Sequence, residues 1–201
     1  MESPKKTLVI IHGAGPKHFR SLKDGSGDWQ SRLPELLGRD YKVLTPQMPS
    51  PNNPSFEDWK TLLDKNLAKV KGEVQLIGHS LGGSFLIKYL TERPVLEKIT
   101  GLYLVSTPFN TVKGFEPPAD YSQLKKIKNI YLYHCVDDVE VPYAHAIILK
   151  DRLGAKLKTF KDRGHYFKRQ DFPEIVLDLQ QDADSEKWNV LGSPLEIKLT
   201  S

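Results

Sequence analysis

Cysteine is nearly absent: Cys135 stands alone among 201 residues. No intrachain disulfide can form, and no cysteine-based metal cluster can be built. Such a chain suits a reducing compartment and holds together through its apolar core. Long apolar runs are missing as well. The run Leu8 to Ile11 is too short for a signal-peptide core, no cleavage region follows it, and no stretch is long enough to span a bilayer. The expectation is a cytoplasmic protein with no membrane span. Long runs of like charge are also lacking. The net charge is a modest +4, and lysines come singly or in short groups such as Lys125, Lys126 and Lys128. That pattern is a solvated surface, and no nucleic-acid partner is expected.

What is present is an alternation. The 39% hydrophobic and 27% charged content fits one soluble domain over residues 1–201. Strand-length aliphatic runs occur at Thr7–Ile11, Tyr41–Thr45, Val74–Ile77, Gly101–Val105, Ile130–Cys135 and Ala155–Phe160. The central ones are almost continuously apolar, as in parallel strands covered on both faces. Helix-length segments lie between them: Asp28–Leu37, Ser55–Val70, Leu81–Thr91, Tyr143–Leu153 and Asp171–Leu179. In the second, Phe56, Trp59, Leu62, Leu63, Asn66, Leu67 and Val70 repeat at helical spacing behind a Ser55 cap. The alternation predicts an α/β fold, a three-layer α/β/α sandwich with a mostly parallel sheet of about six strands. Irregular stretches at Gly13–Gly27, Pro46–Pro54 and Thr107–Gln123 are candidate site walls, because ligands bind beyond the carboxyl ends of such strands. The segment from Asp182 is polar and closes in LEIKLTS, compatible with an edge strand or a loose tail.

One junction carries chemistry. Gly78-His79-Ser80-Leu81-Gly82 fits G-x-S-x-G, with a strand before it and a helix after it. A sharp turn there exposes the serine hydroxyl, glycines admit the crowded backbone, and the helix N-terminus favours a developing oxyanion. A serine needs a base and an orienting acid, which in such a fold follow in the order acid, then histidine. The fifth strand runs out into Val136, Asp137, Asp138, Val139, Glu140, Val141 and Pro142, where a carboxylate is well placed to face the site, and His165 follows the sixth. The order Ser80, Asp138, His165 fits. Two N–H donors are expected for the oxyanion: Leu81, directly after the nucleophile, and Ala14, in the turn His12-Gly13-Ala14-Gly15. Gly13-Ala14-Gly15 could also open a dinucleotide fingerprint, but the sixth position is His18 and no acid ends the second strand. The remaining histidines take structural readings: His79 packs or hydrogen-bonds locally, His12 shapes its loop, His18 lies in a loop, His134 in a strand and His145 in a helix. None has metal-ligand spacing, so no metal and no cofactor is expected. Cys135 reads as a buried small hydrophobe.

From Thr7 to about Leu179 these residues resemble the α/β-hydrolase superfamily, and most closely its small, lidless retinoblastoma-binding serine hydrolase family. GHSLGG carries the superfamily. Gln47-Met48-Pro49, with Pro51, Pro54 and Trp59, carries the narrower likeness. DDVEVP, with an aspartate three residues before Val141-Pro142, matches the acid position and selects Asp138 over Asp137. The resemblance implies an acyl-serine mechanism on carboxylic esters, thioesters or small amides. The two dozen residues between Val105 and Ile130 are too few for a cap domain. An open site of that kind suits small or exposed acyl groups. Lys17, Arg20, Lys161, Arg163 and Lys168 near the mouth would favour anionic substrates, against the simpler reading of solvated lysines and arginines. A protein-interaction module on the same fold, with a protein partner of unknown kind, is the rival from a different class.

Overall fold

A computed structural model describes residues 6–15, 28–92, 98–109, 112–167 and 172–191, with side chains to 182. The elements are β1 (Lys6–Ile11), α1 (Trp29–Leu37), β2 (Tyr41–Leu44), α2 (Phe56–Leu67), β3 (Val74–His79), α3 (Leu81–Glu92), β4 (Ile99–Val105), β5 (Asn129–Cys135), α4 (Ala144–Leu153), β6 (Lys156–Phe160) and α5 (Pro173–Leu191). The sheet order is β2-β1-β3-β4-β5-β6, and every pairing is parallel. All six expected strands are present.

Period-two alternation builds the layers. Val9 and Ile11 face one core with Trp59, Phe85 and Leu149, which come from α2, α3 and α4. Leu8 and Ile10 face the other with Trp29, Leu33, Ile175 and Leu179, from α1 and α5. Local chemistry sets the helix ends. Asp28 accepts the Gln30 and Ser31 N–H groups ahead of α1, and Ser55 accepts that of Asp58 ahead of α2. Gly154, at φ 65°, ends α4 in the left-handed region.

The chain winds from β1 to β2 in one direction, then from β3 onward in the other. The crevice at that reversal lies between the carboxyl ends of β1 and β3. It receives both the Gly13 loop and Ser80. Between β4 and β5 the described residues form only a short 3-10 turn, Leu124–Lys126, and no cap domain.

One element departs from expectation. The last helix runs to Leu191, nine residues past the point at Asp182 where the sequence left the conformation open. Its first half is held by a tyrosine ladder. Tyr133 donates to Asp178 at 2.6 Å and Tyr103 donates to Asp182 at 2.5 Å. Tyr103 and Tyr131 stack at 5.4 Å on paired strand positions. The LEIKLTS segment lies outside the described residues.

Candidate active site

The elbow is built by crowding. Ser80 has φ 53°, a left-handed conformation that costs a non-glycine residue about 1–3 kcal/mol and survives only where its surroundings enforce it. Here its N–H donates to Val105 O at 2.9 Å, and its carbonyl accepts the Gly83 N–H at 2.9 Å. A Cβ on Gly78 would stand 2.6 Å from Gly83 Cα. One on Gly82 would meet the carbonyl oxygens of Ile11 and His12, and one on Gly83 the Thr107 side chain. The glycines therefore let α3 start flush against the ends of β1 and β4. Leu81 is the first residue of that helix.

The same closeness brings the β1 loop beside the serine. His12 is fully buried. Its Nδ1–H donates to Gly13 O at 2.7 Å, and its Nε2 accepts the Met48 N–H at 3.0 Å. Burial lowers its pKa, which keeps the ring in the neutral form that both bonds require. Trp59 donates to Pro49 O at 2.9 Å, and Gly15 donates to Pro51 O at 2.8 Å. The Met-Pro-to-Trp stretch is thus a brace for the loop that carries Ala14.

Asp138 and His165 are brought together. Asp138 Oδ2 stands 2.9 Å from His165 Nδ1. Its Oδ1 accepts the N–H groups of Glu140 at 2.9 Å and Val141 at 2.8 Å. Burial pushes this carboxyl up, but His165 and those backbone donors outweigh it and hold it below its ordinary range. Asp137 is exposed and accepts the Gly164 N–H at 3.3 Å.

His79 does more than pack locally. Its Nε2–H donates to the carbonyl of His165 at 3.0 Å, while its Nδ1 accepts Gln30 Nε2 at 3.3 Å. Its ring meets Trp29 edge-on at 5.9 Å. The residue directly before Ser80 therefore anchors the histidine loop to the elbow. A histidine inside a widely shared motif gives no sign of a partner 86 residues away.

A family model described as serine hydrolase matches residues 8–175. The chain belongs to the serine hydrolase family. It is 27% identical over 186 residues to serine hydrolase RBBP9 of Rattus norvegicus, covering 88% of this chain and 94% of that protein. It is 22% identical over 181 residues to YdeN of Bacillus subtilis (strain 168), covering 86% of this chain and 92% of that one. The crystal structure of the B. subtilis ydeN gene product superposes with a TM-score of 0.71 at 20% identity, over 90% of this chain and all of that one, a likeness of fold. Kynurenine formamidase of Scheffersomyces stipitis is 26% identical over 148 residues, 69% of this chain and 53% of that protein. These likenesses support hydrolase activity.

Other polar groups near the candidate site make local contacts. His134 donates from Nε2 to Val141 O at 2.9 Å, and His145 Nδ1 accepts the Phe109 N–H at 3.1 Å. Burial lowers the pKa of both. The Cys135 thiol is buried and pushed up to about 12, mainly by that burial, which makes it a poor nucleophile. Arg163 is engaged within the protein: it pairs with Glu174 at 2.7 Å and lies 4.3 Å over the Phe160 ring. Lys161 is exposed. His18, Lys17, Arg20 and Lys168 lie outside the described residues. The Glu140 carboxylate, in the same turn as Asp138, stands 3.7 Å from His165 Nε2, a proximity with no local signal in the sequence. Among the described residues no helix is long and apolar enough to cross a membrane.

Proposed function

We propose that this serine hydrolase cleaves carboxylic esters of small or exposed acyl groups through an acyl-serine intermediate. The observation that carries the reading is the buried Asp138–His165 pair, tied by the His165 carbonyl to the elbow that presents Ser80 at φ 53°. Ser80 Oγ attacks the carbonyl carbon as its proton passes to His165 Nε2. Asp138 fixes the tautomer at Nδ1 and stabilises the imidazolium. The proton then goes to the leaving oxygen as the C–O bond breaks, and water repeats the sequence on the acyl-serine. The N–H groups of Leu81 and Ala14 hold the oxyanion, a role worth about 10²–10³ in turnover per donor in a worked case. No cofactor or metal takes part.

Small amides are a second reading, favoured by the similarity to a protein named kynurenine formamidase; thioesters follow from the same chemistry. Against a binding module without chemistry stands the cost of keeping a strained serine and a buried carboxylate at Asp138. An active-site fluorophosphonate should label the folded protein and fail on Ser80→Ala. The same pair, run on matched short esters, thioesters and amides, sets the preferred class. Equal labelling of both proteins, or none of either, would remove the enzyme reading.

A further inference from the structure

We propose that Glu140 is a second acidic partner of His165, stabilising from the Nε2 side the imidazolium that forms in each turnover, and that Tyr166 is the positioning residue that holds it there. This rests on the proposed role of His165 as the base. Asp138 occupies Nδ1 at 2.9 Å, whereas Glu140 Oε2 lies 3.7 Å from Nε2, the nitrogen that exchanges the proton. That separation is within ion-pair range and beyond a hydrogen bond. The carboxylate therefore attracts positive charge on the ring without taking the Nε2 proton from Ser80 or from the leaving group.

The carboxylate is held in place. Tyr166 donates its hydroxyl to Glu140 Oε2 at 3.1 Å and sets its ring edge-on to that of His165 at 4.9 Å. Burial first, then Glu140 itself, pushes the Tyr166 hydroxyl up to about 12, so it remains a donor throughout the working range. The Glu140 backbone is fixed as well, because its N–H donates to Asp138 Oδ1. One turn thus supplies both carboxylates, two residues apart, to the two nitrogens of one imidazole.

The other groups facing His165 differ in kind. His79, from β3, donates to the His165 carbonyl. His134, from β5, stands behind Asp138 at 3.6 Å from its Oδ2. Asp137 reaches the Gly164 N–H, and Arg163 is engaged by Glu174 on α5. Among these described groups, Glu140 is the charge placed at Nε2.

A carboxylate there has two opposed effects. It strengthens the base, which raises the rate once the ring is neutral. The same attraction opposes release of the transferred proton, which would delay the onset of activity. Removing it should therefore give crossing profiles. In Glu140→Gln, the acid limb of kcat/KM on a short ester should move down by about half to one pH unit, with the plateau falling about 3- to 10-fold, modest because the carboxylate is half exposed. Tyr166→Phe should move the limb the same way by less. Glu92→Gln, the same charge change far away beside Lys60, should leave the limb in place. A parallel loss at every pH would mean a structural role only and would overturn the proposal.

A second measurement does not need turnover. In a Ser80→Ala background, the ring-proton NMR signal of His165 should titrate at lower pH with Glu140→Gln than without it. If the wild type shows no Ser80-dependent hydrolysis but this titration moves, the pairing stands and the enzyme reading fails. If hydrolysis is present and the titration is unmoved, the enzyme reading stands and the Glu140 proposal is overturned.

Discussion

Asp137 and Asp138 share a turn and have opposite surroundings. Asp138 is buried and receives His165 and two backbone donors, whereas Asp137 is exposed and steadies the far loop through Gly164. Asn at 138 keeps an oxygen for the turn but permits the wrong histidine tautomer. Asp138→Asn should therefore lose at least about a hundredfold in kcat/KM while staying folded. Asp137→Asn should lose much less, with its defect in the melting curve. Kinetics of both variants on one ester, with thermal melts, check this; an inert Asp137→Asn beside an active Asp138→Asn would shift the acid by one residue. The carboxyl also links to stability. Its folded pKa lies below the unfolded value, so its stabilisation is fully present above the ordinary carboxylate range and is lost as pH falls through the lowered value. Melting temperature against acidic pH should be flatter in Asp138→Asn than in the wild type.

The elements that hold the site are joined by few contacts, each with a measurable share. Gly82 faces two backbone oxygens, which cannot swing aside as a side chain does. Gly82→Ala should cost about 1–3 kcal/mol in stability by overpacking, and should suppress activity in the fraction that still folds. His79→Ala should leave the sheet intact but release the His165 carbonyl, lowering kcat about tenfold with little change in KM, since a misplaced base is costly. If only the melting temperature falls, His79 is a packing residue. On the opposite side, Asp178 joins α5 to the sheet through Tyr133 and through Lys158 at 2.6 Å. Asp178→Ala leaves the buried Tyr133 hydroxyl unpaired and should destabilise by about 1–3 kcal/mol, more than Tyr133→Phe, which removes the hydroxyl itself. Urea melts of the two variants decide the order.

At the scale of the whole molecule, the all-parallel sheet reverses its winding between β1 and β3, and every proposed catalytic group lies at the carboxyl edge of that sheet. Among the described residues no cap domain stands over that edge, which suits the proposed short acyl groups. Hydrolysis should be fastest on short acyl esters and decline with chain length, read against Ser80→Ala. An optimum at long chains would mean that the β4–β5 connection acts as a lid. The rate should rise with pH through the histidine range, since the base works in its neutral form, and His165→Ala should abolish it.

Strand order along the chain, the helix cap at Ser55 and the serine elbow were all determined by the sequence itself. Each depends on neighbours within a few residues, where periodicity and backbone sterics act directly. Ser80 and His165 were legible as candidates because chain order places them at strand ends, whereas the choice of Asp138 over Asp137 came from the likeness of DDVEVP to the superfamily's acid position. What lay beyond reach was everything set by residues distant in sequence. His12 meeting the Met48 N–H, His79 meeting the His165 carbonyl, and the tyrosine ladder that holds the first half of α5 depend on which strands become neighbours. Glu140 is the sharpest case. Nothing in DDVEVP sets its third carboxylate apart, and only the folding of the β6–α5 loop over β5 brings His165 Nε2 within 3.7 Å of it. Local propensity selects elements, but tertiary packing decides which polar groups meet, because the meeting is a property of the assembled sheet and its loops.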